Sequence, residues 1–260
     1  MRCRTRAVGV GLLGTAAAGA AIVSSAIALE VRRATHLRLP TLVGSDASGT
    51  VHGRADGPPV RVVALGDSTL TGPGIADPSN IWLRQALHRL ELEPTVEMIS
   101  LAVGGSRVAD VLGRVQDAID LHPSLVVVAV GANDALHGRP TRRFAAQFDE
   151  LLDRLTAEVP VVAVANVGDL GNIARARAPL TNALRLRARI ISRTIEQSVA
   201  RHDGVVLLDV TRSNEPFRDP GVFGADLFHP SEVGHTIWAD AIFADLRIAF
   251  DRLNVDTQPA

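Results

Sequence analysis

The chain has 260 residues, of which 47% are hydrophobic, and its formal net charge is -1. That length predicts one domain with an appended terminal segment, and the balanced charge argues against nucleic acid as a partner. All 27 basic residues are arginine, which excludes chemistry that needs a lysine amine, such as Schiff-base catalysis. The single cysteine, Cys3, leaves the body of the protein without an internal disulfide or a cysteine-based metal site.

The N-terminal segment has the organisation of an export signal. Residues 7–29 carry no charged side chain and lie between an arginine-rich start and the sequence EVRR. This pattern, with Ala26 and Ala28 in an A-x-A arrangement, fits a signal peptide at 1–29 that is cleaved after Ala28. The run is also long enough for a membrane anchor, which takes about 20 apolar residues. Either interpretation predicts an exported protein, anchored on the outer face of the cell membrane or secreted to the cell wall.

Residues 30–59 differ in composition from the segments on either side. They are rich in Gly, Ser, Asp, Thr and Pro and show no hydrophobic periodicity, as in GSDASGTVHGRADGPP. Such a composition is typical of flexible linkers. We therefore expect 30–59 to tether the following domain to the N-terminal segment.

The rest of the chain alternates between two hydrophobic patterns. Short β-branched runs predict buried strands at 60–65, 95–101, 125–130, 160–166 and 205–210. Helical spacing of apolar residues predicts helices at 80–91, 106–120, 141–158, 180–202 and 231–251. Strands that alternate with helices pair in parallel, and the helices cover both faces of the sheet. The prediction is an α/β domain at 60–252, a three-layer α/β/α sandwich with a five-stranded parallel sheet, followed by a flexible tail at 253–260.

Residues suited to acyl transfer follow the predicted strands. Ser68 and Asn133 come just after the first and third strands, Gly105 follows the second, and Asp226 and His229 lie in the last long loop. The carboxyl ends of parallel strands form the usual site of such a sheet. A serine becomes nucleophilic when an imidazole accepts its proton and a carboxylate orients that imidazole. The oxyanion then needs hydrogen-bond donors, for which the N–H groups of Ser68 and Gly105 and the Asn133 amide are candidates.

Four short motifs resemble the conserved blocks of the SGNH or GDSL hydrolases. They are GDS at 66–68, AVGGS at 102–106, GAND at 131–134 and DLFHP at 226–230, and they occur in the family's order over about 60–250. The resemblance implies a flavodoxin-like fold and an esterase that uses no cofactor. It also implies Ser68 as nucleophile, Asp226 and His229 as acid and base, and oxyanion donors at Ser68, Gly105 and Asn133. Many members have Asn where this chain has Ser100, which leaves Gly104 as an alternative to Gly105.

Several residues have alternative interpretations. Glu232 and His235 repeat the spacing of Asp226 and His229, so they are a second candidate for the acid and base pair. Ser68 could merely cap the helix that follows it. The segment 175–201 has seven arginines and one acid, which predicts either a solvated helix face or a surface for anionic lipid or substrate. The remaining histidines lack metal-ligand spacing, so no metal is expected.

The substrate is predicted from composition alone. Only 3% of the residues are aromatic, and no lid insertion is evident, which predicts a shallow, open site for short-chain acyl esters of lipids or sugars. One alternative is an acyltransferase that moves acyl groups onto cell-envelope glycans or glycolipids. Another is a non-catalytic module that binds the cell envelope.

Overall fold

A sheet of six strands forms the centre of the molecule. The computed structural model describes residues 21–52, 58–90 and 94–256. The strands are β1 (Gly49–His52), β2 (Val60–Gly66), β3 (Val96–Ser100), β4 (Leu125–Ala129), β5 (Val161–Ala165) and β6 (Val205–Leu208). The five predicted strands are thus confirmed as β2 to β6, and β1 is an additional strand.

The strand order identifies the topology. The sheet runs β1-β3-β2-β4-β5-β6, in which β2 to β6 are parallel and β1 pairs antiparallel with β3. Without β1, this is the 2-1-3-4-5 order of flavodoxin-like folds. Successive crossovers change direction between β2 and β4, and that point is where such folds bind ligands. Ser68 follows β2 and Asn133 follows β4, so both lie at this crevice.

Helices cover both faces of the sheet. They are α1 (residues 21–35), α2 (Ser68–Thr71), α3 (Trp82–His88), α4 (Val108–Leu112), α5 (Val115–Asp120), α6 (Ala132–Leu136), α7 (Thr141–Thr156), α8 (Leu180–Val199) and α9 (Glu232–Asp256). The helix predicted at 106–120 is divided into α4 and α5 at Gly113, a residue of low helix propensity. The tail predicted from 253 is helical as far as Asp256, and residues 257–260 lie outside the described part.

Two hydrophobic cores lie on opposite faces of the sheet. Alternate residues of a strand point to opposite faces, so Val62 and Ala64 of β2 pack with α3 and α9. Their neighbours Val63 and Leu65 pack with α4, α5, α7 and α8. The three-layer α/β/α architecture is therefore confirmed, and the strand count is corrected from five to six.

The prediction of a flexible linker at 30–59 is wrong in two places, at 30–35, which belong to helix α1, and at 47–52, which pack onto the domain. Ala47 is fully buried in the core, and β1 pairs with β3. Arg84 of α3 donates hydrogen bonds to the carbonyl oxygens of Ala47, Gly49 and Thr50. Arg84 and β3 lie far from this segment in the chain, so the composition of the segment does not predict these contacts. Residues 53–57 of the predicted linker lie outside the described residues.

Helix α1 is also held against the body. The Glu30 carboxylate accepts a hydrogen bond from the backbone N–H of Arg177 at 2.9 Å, and Arg33 donates to the Arg175 carbonyl at 2.6 Å. Across 21–52, 58–90 and 94–256, no helix combines the length and apolar character needed to span a bilayer. Most of the predicted signal or anchor, residues 1–20, lies outside that part of the chain.

Candidate active site

Ser68 is the first residue of α2, directly after β2. Gly66 ends β2, and a Cβ there would lie 2.2 Å from the Ala129 carbonyl oxygen, so only glycine lets the two strands approach this closely. Asp67 caps α2, because its side chain accepts the Thr69 backbone N–H at 3.0 Å. Since Asp67 is the capping residue, the alternative that Ser68 serves as the cap is wrong.

Asn133 and Asp67 are joined across the crevice. The Asn133 amide donates to Asp67 Oδ2 at 3.3 Å and to the Ser106 carbonyl at 3.1 Å. Asp67 is only 1% exposed, and this burial raises its pKa to about 6, although hydrogen bonds from Thr69 and Asn133 act in the opposite direction. These contacts fix the Asn133 side chain beside the turn that carries Ser68.

Gly104 and Gly105 lie in a tight turn after β3, at the same edge of the sheet as Ser68. Ser106 N–H donates to the Val103 carbonyl at 3.1 Å, and Gly105 has φ +80°. Positive φ at the third position is typical of a type II turn and favours glycine. Gly104 lies close to Ser68, since a Cβ on Gly104 would be 3.9 Å from the Ser68 Cβ. Both glycines line the cleft that contains Ser68, so Gly104 stays an alternative to Gly105 as a backbone donor.

Asp226 and His229 form a hydrogen-bonded pair within one loop. His229 Nδ1 lies 2.7 Å from Asp226 Oδ2. Asp226 Oδ1 accepts the backbone N–H groups of Phe228 and His229 at 3.0 and 2.9 Å. Burial alone would raise the pKa of Asp226, but these bonds outweigh it, and the pKa is lowered. Asp226 is therefore ionised at neutral pH. Its carboxylate can orient the His229 ring and stabilise the positive charge of the imidazolium form.

The loop that carries this pair is tightly constrained. Leu227 has φ +54°, a left-handed conformation that costs a branched residue about 1–2 kcal/mol. Leu227 N–H donates to the Gly224 carbonyl at 2.9 Å, and the Leu227 carbonyl accepts the Arg175 N–H at 3.0 Å. Gly224 N–H also donates to the His229 carbonyl at 2.7 Å. The surrounding hydrogen bonds hold Asp226 and His229 in this strained turn.

The second candidate pair, Glu232 and His235, is not formed. Glu232 is exposed, whereas His235 is fully buried and its Nδ1 accepts the Trp82 backbone N–H at 3.3 Å. Its Nε2 is buried with no hydrogen-bond partner among the described residues. Burial, with a smaller contribution from the charge of His229, lowers the pKa of His235 to about 4. His235 is thus a neutral core residue at physiological pH.

This burial predicts a pH dependence of stability. The unfolded chain takes up a proton at His235 near pH 6.5, whereas the folded chain does so only near pH 4, so the contribution of His235 is lost as the pH falls. In urea unfolding, the stability advantage of the wild type over His235→Asn should shrink by roughly 2 kcal/mol between pH 7.5 and pH 5. The raised pKa of Asp67 has the opposite effect, because it makes the folded protein more stable as the pH falls through about 6. Asp67 is present in both proteins, so the difference in stability between the wild type and His235→Asn isolates the effect of His235. An advantage that is equal at both pH values would contradict the prediction.

An apolar pocket opens beside Ser68. It has a volume of about 120 Å³ and lies at the carboxyl ends of β4 and β5, bounded by the loop after β6. The chain has seven phenylalanines and two tryptophans, and five of these nine line the pocket: Trp82, Phe217, Phe223, Phe228 and Trp238. Phe217 stacks on Trp238 with ring centroids 5.2 Å apart. The low overall aromatic content therefore does not describe this pocket, because most of the aromatic side chains are concentrated here.

A second, wider cleft lies on the other side of Ser68. One wall is formed by residues 42–46, which we call the strap. The strap is held by two backbone hydrogen bonds, from Ser45 N–H to the Thr71 carbonyl at 2.7 Å and from Gly74 N–H to the Val43 carbonyl at 3.1 Å. This strap cleft has a volume of about 720 Å³. Ser68, Asn133, Phe228 and His229 line both the apolar pocket and the strap cleft, so they lie where the two cavities meet.

The arginine-rich segment is partly paired. Arg185 lies 2.7 Å from the Asp169 carboxylate, and Arg201 lies 2.7 Å from that of Asp149. The Arg175 guanidinium stacks 4.4 Å from the centre of the Phe228 ring. Several of these arginines therefore have structural partners. No cluster of three or more potential metal ligands occurs in the described part of the chain.

Comparison with known proteins assigns the family. The GDSL-like lipase/acylhydrolase family matches residues 64–237, which is more than half of the chain. The chain belongs to the GDSL-like lipase/acylhydrolase family. Membership of this family supports a carboxylic ester hydrolase in place of a non-catalytic module. The matched range contains Ser68, Gly105, Asn133, Asp226 and His229, and it excludes the strap.

Relatives agree with the family. A GDSL-like esterase of Mycobacterium tuberculosis, Rv1075c, is 28% identical over 241 residues, which cover 85% of this chain and 76% of that protein. The psychrotrophic esterase EstA from Pseudoalteromonas sp. has a similar fold, with a TM-score of 0.60 at 15% identity, covering 74% of this chain and 99% of EstA. The acetylxylan esterase Axe2 from Geobacillus stearothermophilus has a TM-score of 0.55 at 18% identity, covering 72% and 93% of the two chains.

Proposed function

We propose that this GDSL-family hydrolase cleaves carboxylic esters through an acyl-enzyme on Ser68, with His229 as base and Asp226 as its orienting acid. The observation that carries the proposal is the 2.7 Å Asp226–His229 pair, whose imidazole lines the same cavities as Ser68. No hydrogen bond joins Ser68 to His229 within the described residues. Such bonds often tighten only when substrate binds.

The proposed reaction has two steps. In the first, Ser68 Oγ attacks the ester carbonyl as His229 Nε2 takes the hydroxyl proton, and the proton then passes to the leaving alcohol. In the second, water attacks the acyl-enzyme as His229 takes one of its protons. His229 then returns that proton to Ser68 Oγ, which releases the carboxylic acid and restores the serine hydroxyl. Asp226 keeps the proton of the neutral imidazole on Nδ1 and stabilises the imidazolium. The N–H groups of Ser68 and Gly105 would stabilise the oxyanion. The Asn133 amide would join them by releasing one of the two N–H groups that it donates to Asp67 and Ser106.

The apolar pocket supports a limited acyl length. Its volume of about 120 Å³ is on the scale of a ~150 Å³ protein cavity that holds benzene, a molecule of six carbons. We therefore propose short acyl groups of up to about six carbons. Hydrolysis of p-nitrophenyl esters of graded length by residues 21–260 tests this. A maximum at or below six carbons supports the proposal, and a preference for long chains contradicts it.

Replacement of Asn133 tests the oxyanion role. Asn133→Ala removes a side-chain donor, so kcat should fall by about 10²–10³-fold with little change in KM. The substitution also removes the contact with Asp67. The control is Gln116→Ala, because Gln116 is exposed on α5 and lines neither cavity. A fall of less than threefold in Asn133→Ala would exclude the role.

Acyl transfer is a second candidate, favoured by the size of the strap cleft. A cleft of about 720 Å³ next to Ser68 offers room for an acceptor alcohol in place of water. Glycans or glycolipids of the cell envelope are the proposed acceptors. Adding mono- and oligosaccharides to the p-nitrophenyl ester assay distinguishes the two activities. Acylated sugar in place of free acid would favour transfer.

Export is a separate proposal, supported by the sequence. Residues 7–29 contain no charged side chain, and they lie between Arg6 and the sequence EVRR at 30–33. We propose that this segment directs the hydrolase across the membrane, where it stays as an anchor or is cleaved after Ala28. Fusing residues 1–35 to a reporter enzyme that needs disulfides for activity tests export, because such bonds form outside the cytoplasm. An inactive but full-length fusion would contradict it.

A further inference from the structure

The two cavities at Ser68 divide the space that an ester substrate can occupy. The reacting carbonyl must lie at Ser68, and the acyl and alcohol halves must extend from it in different directions. If the acyl group occupies the apolar pocket, the alcohol half is directed into the strap cleft. This assignment rests on the proposed esterase function of Ser68.

The strap cleft is chemically different from the apolar pocket. Beside apolar residues such as Leu42 and Phe228, its lining includes Ser45, Asp46, Thr71, Ser100 and the glycine turn. These groups donate and accept hydrogen bonds, whereas the apolar pocket is lined mainly by aromatic and aliphatic side chains. The strap cleft therefore suits a partner that carries several hydroxyl groups.

Asp46 gives the strap cleft a fixed negative charge. Asp46 Oδ1 accepts the Ser48 hydroxyl at 2.6 Å and the Ser48 backbone N–H at 2.9 Å. These bonds, the hydroxyl's first, lower the pKa of Asp46, so the group is ionised at neutral pH. Oδ2 has no hydrogen-bond partner among the described residues and is available to accept a hydroxyl. The same charge would repel an anionic alcohol.

We propose that the strap cleft is the alcohol subsite of this hydrolase, that it selects a neutral, hydroxyl-rich alcohol such as a sugar, and that Asp46 determines this specificity. The strap lies outside residues 64–237, which match the family, so the proposed subsite combines the family's catalytic residues with a segment that precedes them in the chain. The strap belongs to the segment predicted to be a linker, so in this proposal part of that segment contributes to substrate specificity.

The test compares three esters that share one butyryl group. The first alcohol is glucose, which is neutral and hydroxyl-rich. The second is 1-butanol, which is apolar, and the third is glucose 6-phosphate, which is hydroxyl-rich but anionic. We expect wild-type kcat/KM to be highest for the glucose ester. Asp46→Asn keeps an oxygen for Ser48 but removes the charge, so the ratio of kcat/KM for the glucose ester over the phosphorylated ester should fall about tenfold. Loss of packing alone would not change this ratio.

The control variant is Asp117→Asn. Asp117 is an exposed acid on α5 that lines neither cavity, so its replacement removes the same charge and should leave the ratio unchanged. An unchanged ratio in Asp46→Asn, or a wild type that prefers the butanol ester, would overturn the alcohol subsite while p-nitrophenyl butyrate is still hydrolysed. Failure of the wild type to hydrolyse p-nitrophenyl butyrate would instead overturn the proposed function, and the subsite with it.

Discussion

Replacing Ser68 with alanine is expected to lower kcat for p-nitrophenyl butyrate by about 10⁴-fold or more. The substitution removes the only group that forms the proposed acyl-enzyme, while the helix α2 that carries it keeps its cap, because the capping bond comes from Asp67. Stability and circular dichroism should therefore stay close to those of the wild type. The measurement compares the steady-state hydrolysis rates of the wild type and Ser68→Ala, each corrected for the uncatalysed rate.

A matched serine separates this effect from a general loss of structure. Ser79 lies in the short helical turn at Pro78–Asn80, also behind an aspartate cap, and lines neither the apolar pocket nor the strap cleft. Ser79→Ala should keep full activity. A fluorophosphonate probe should label the wild type and Ser79→Ala but not Ser68→Ala. If Ser68→Ala keeps more than a few per cent of the wild-type rate, the nucleophile is another group.

Asp226→Asn should lower kcat by about 10⁴-fold through a different cause. Asparagine can still accept the backbone N–H groups of Phe228 and His229 through its oxygen, so the loop is expected to keep its shape. Its amide nitrogen then faces His229 Nδ1 and donates to it. This places the imidazole proton on Nε2, the atom that must accept the proton of Ser68. The imidazole is present in this variant but holds the wrong tautomer.

Asp219 provides the control for Asp226. It lies in the same loop, and its Oδ1 accepts the Gly221 N–H at 2.9 Å, which is the same type of capping bond. Asp219→Asn should retain activity, because its carboxylate does not contact His229. Equal losses in Asp219→Asn and Asp226→Asn would mean that loop structure, and not the orientation of His229, explains the effect.

The parallel sheet and the strand-end residues could be predicted from the sequence because both depend on local patterns. Buried parallel strands are apolar on both faces, so runs such as 125–130 stand out from the amphipathic helices around them. The rule that sites lie at the carboxyl ends of strands then selects the residues after β2, β3 and β4. The structure places Ser68, Gly105, Asn133 and His229 around one cleft, although their catalytic roles stay predictions.

The features that the sequence did not predict depend on contacts between distant residues. Strand β1 has four residues, too few for a periodic signal, and it is defined by its pairing with β3 and by Arg84. In the apolar pocket, Trp82 lies together with Trp238 and the phenylalanines near 220. These residues come more than 130 positions after Trp82 in the chain. An average aromatic content cannot show such clustering. Short helices such as α2 and α6 are missed for the same reason as β1.

The strap has a further consequence for the order in which the protein folds. It precedes the catalytic domain in the chain, yet each of its partners comes later: Thr71 and Gly74 for the strap itself, and β3 for the strand that follows it. Synthesis proceeds from the N-terminus, so the strap leaves the ribosome before any surface exists on which it can dock. During synthesis the hydrogen bonds of the strap can therefore form only after Thr71 and Gly74 have emerged, and β1 can pair only after β3 has emerged, so this wall of the cleft depends on chain that is made after it.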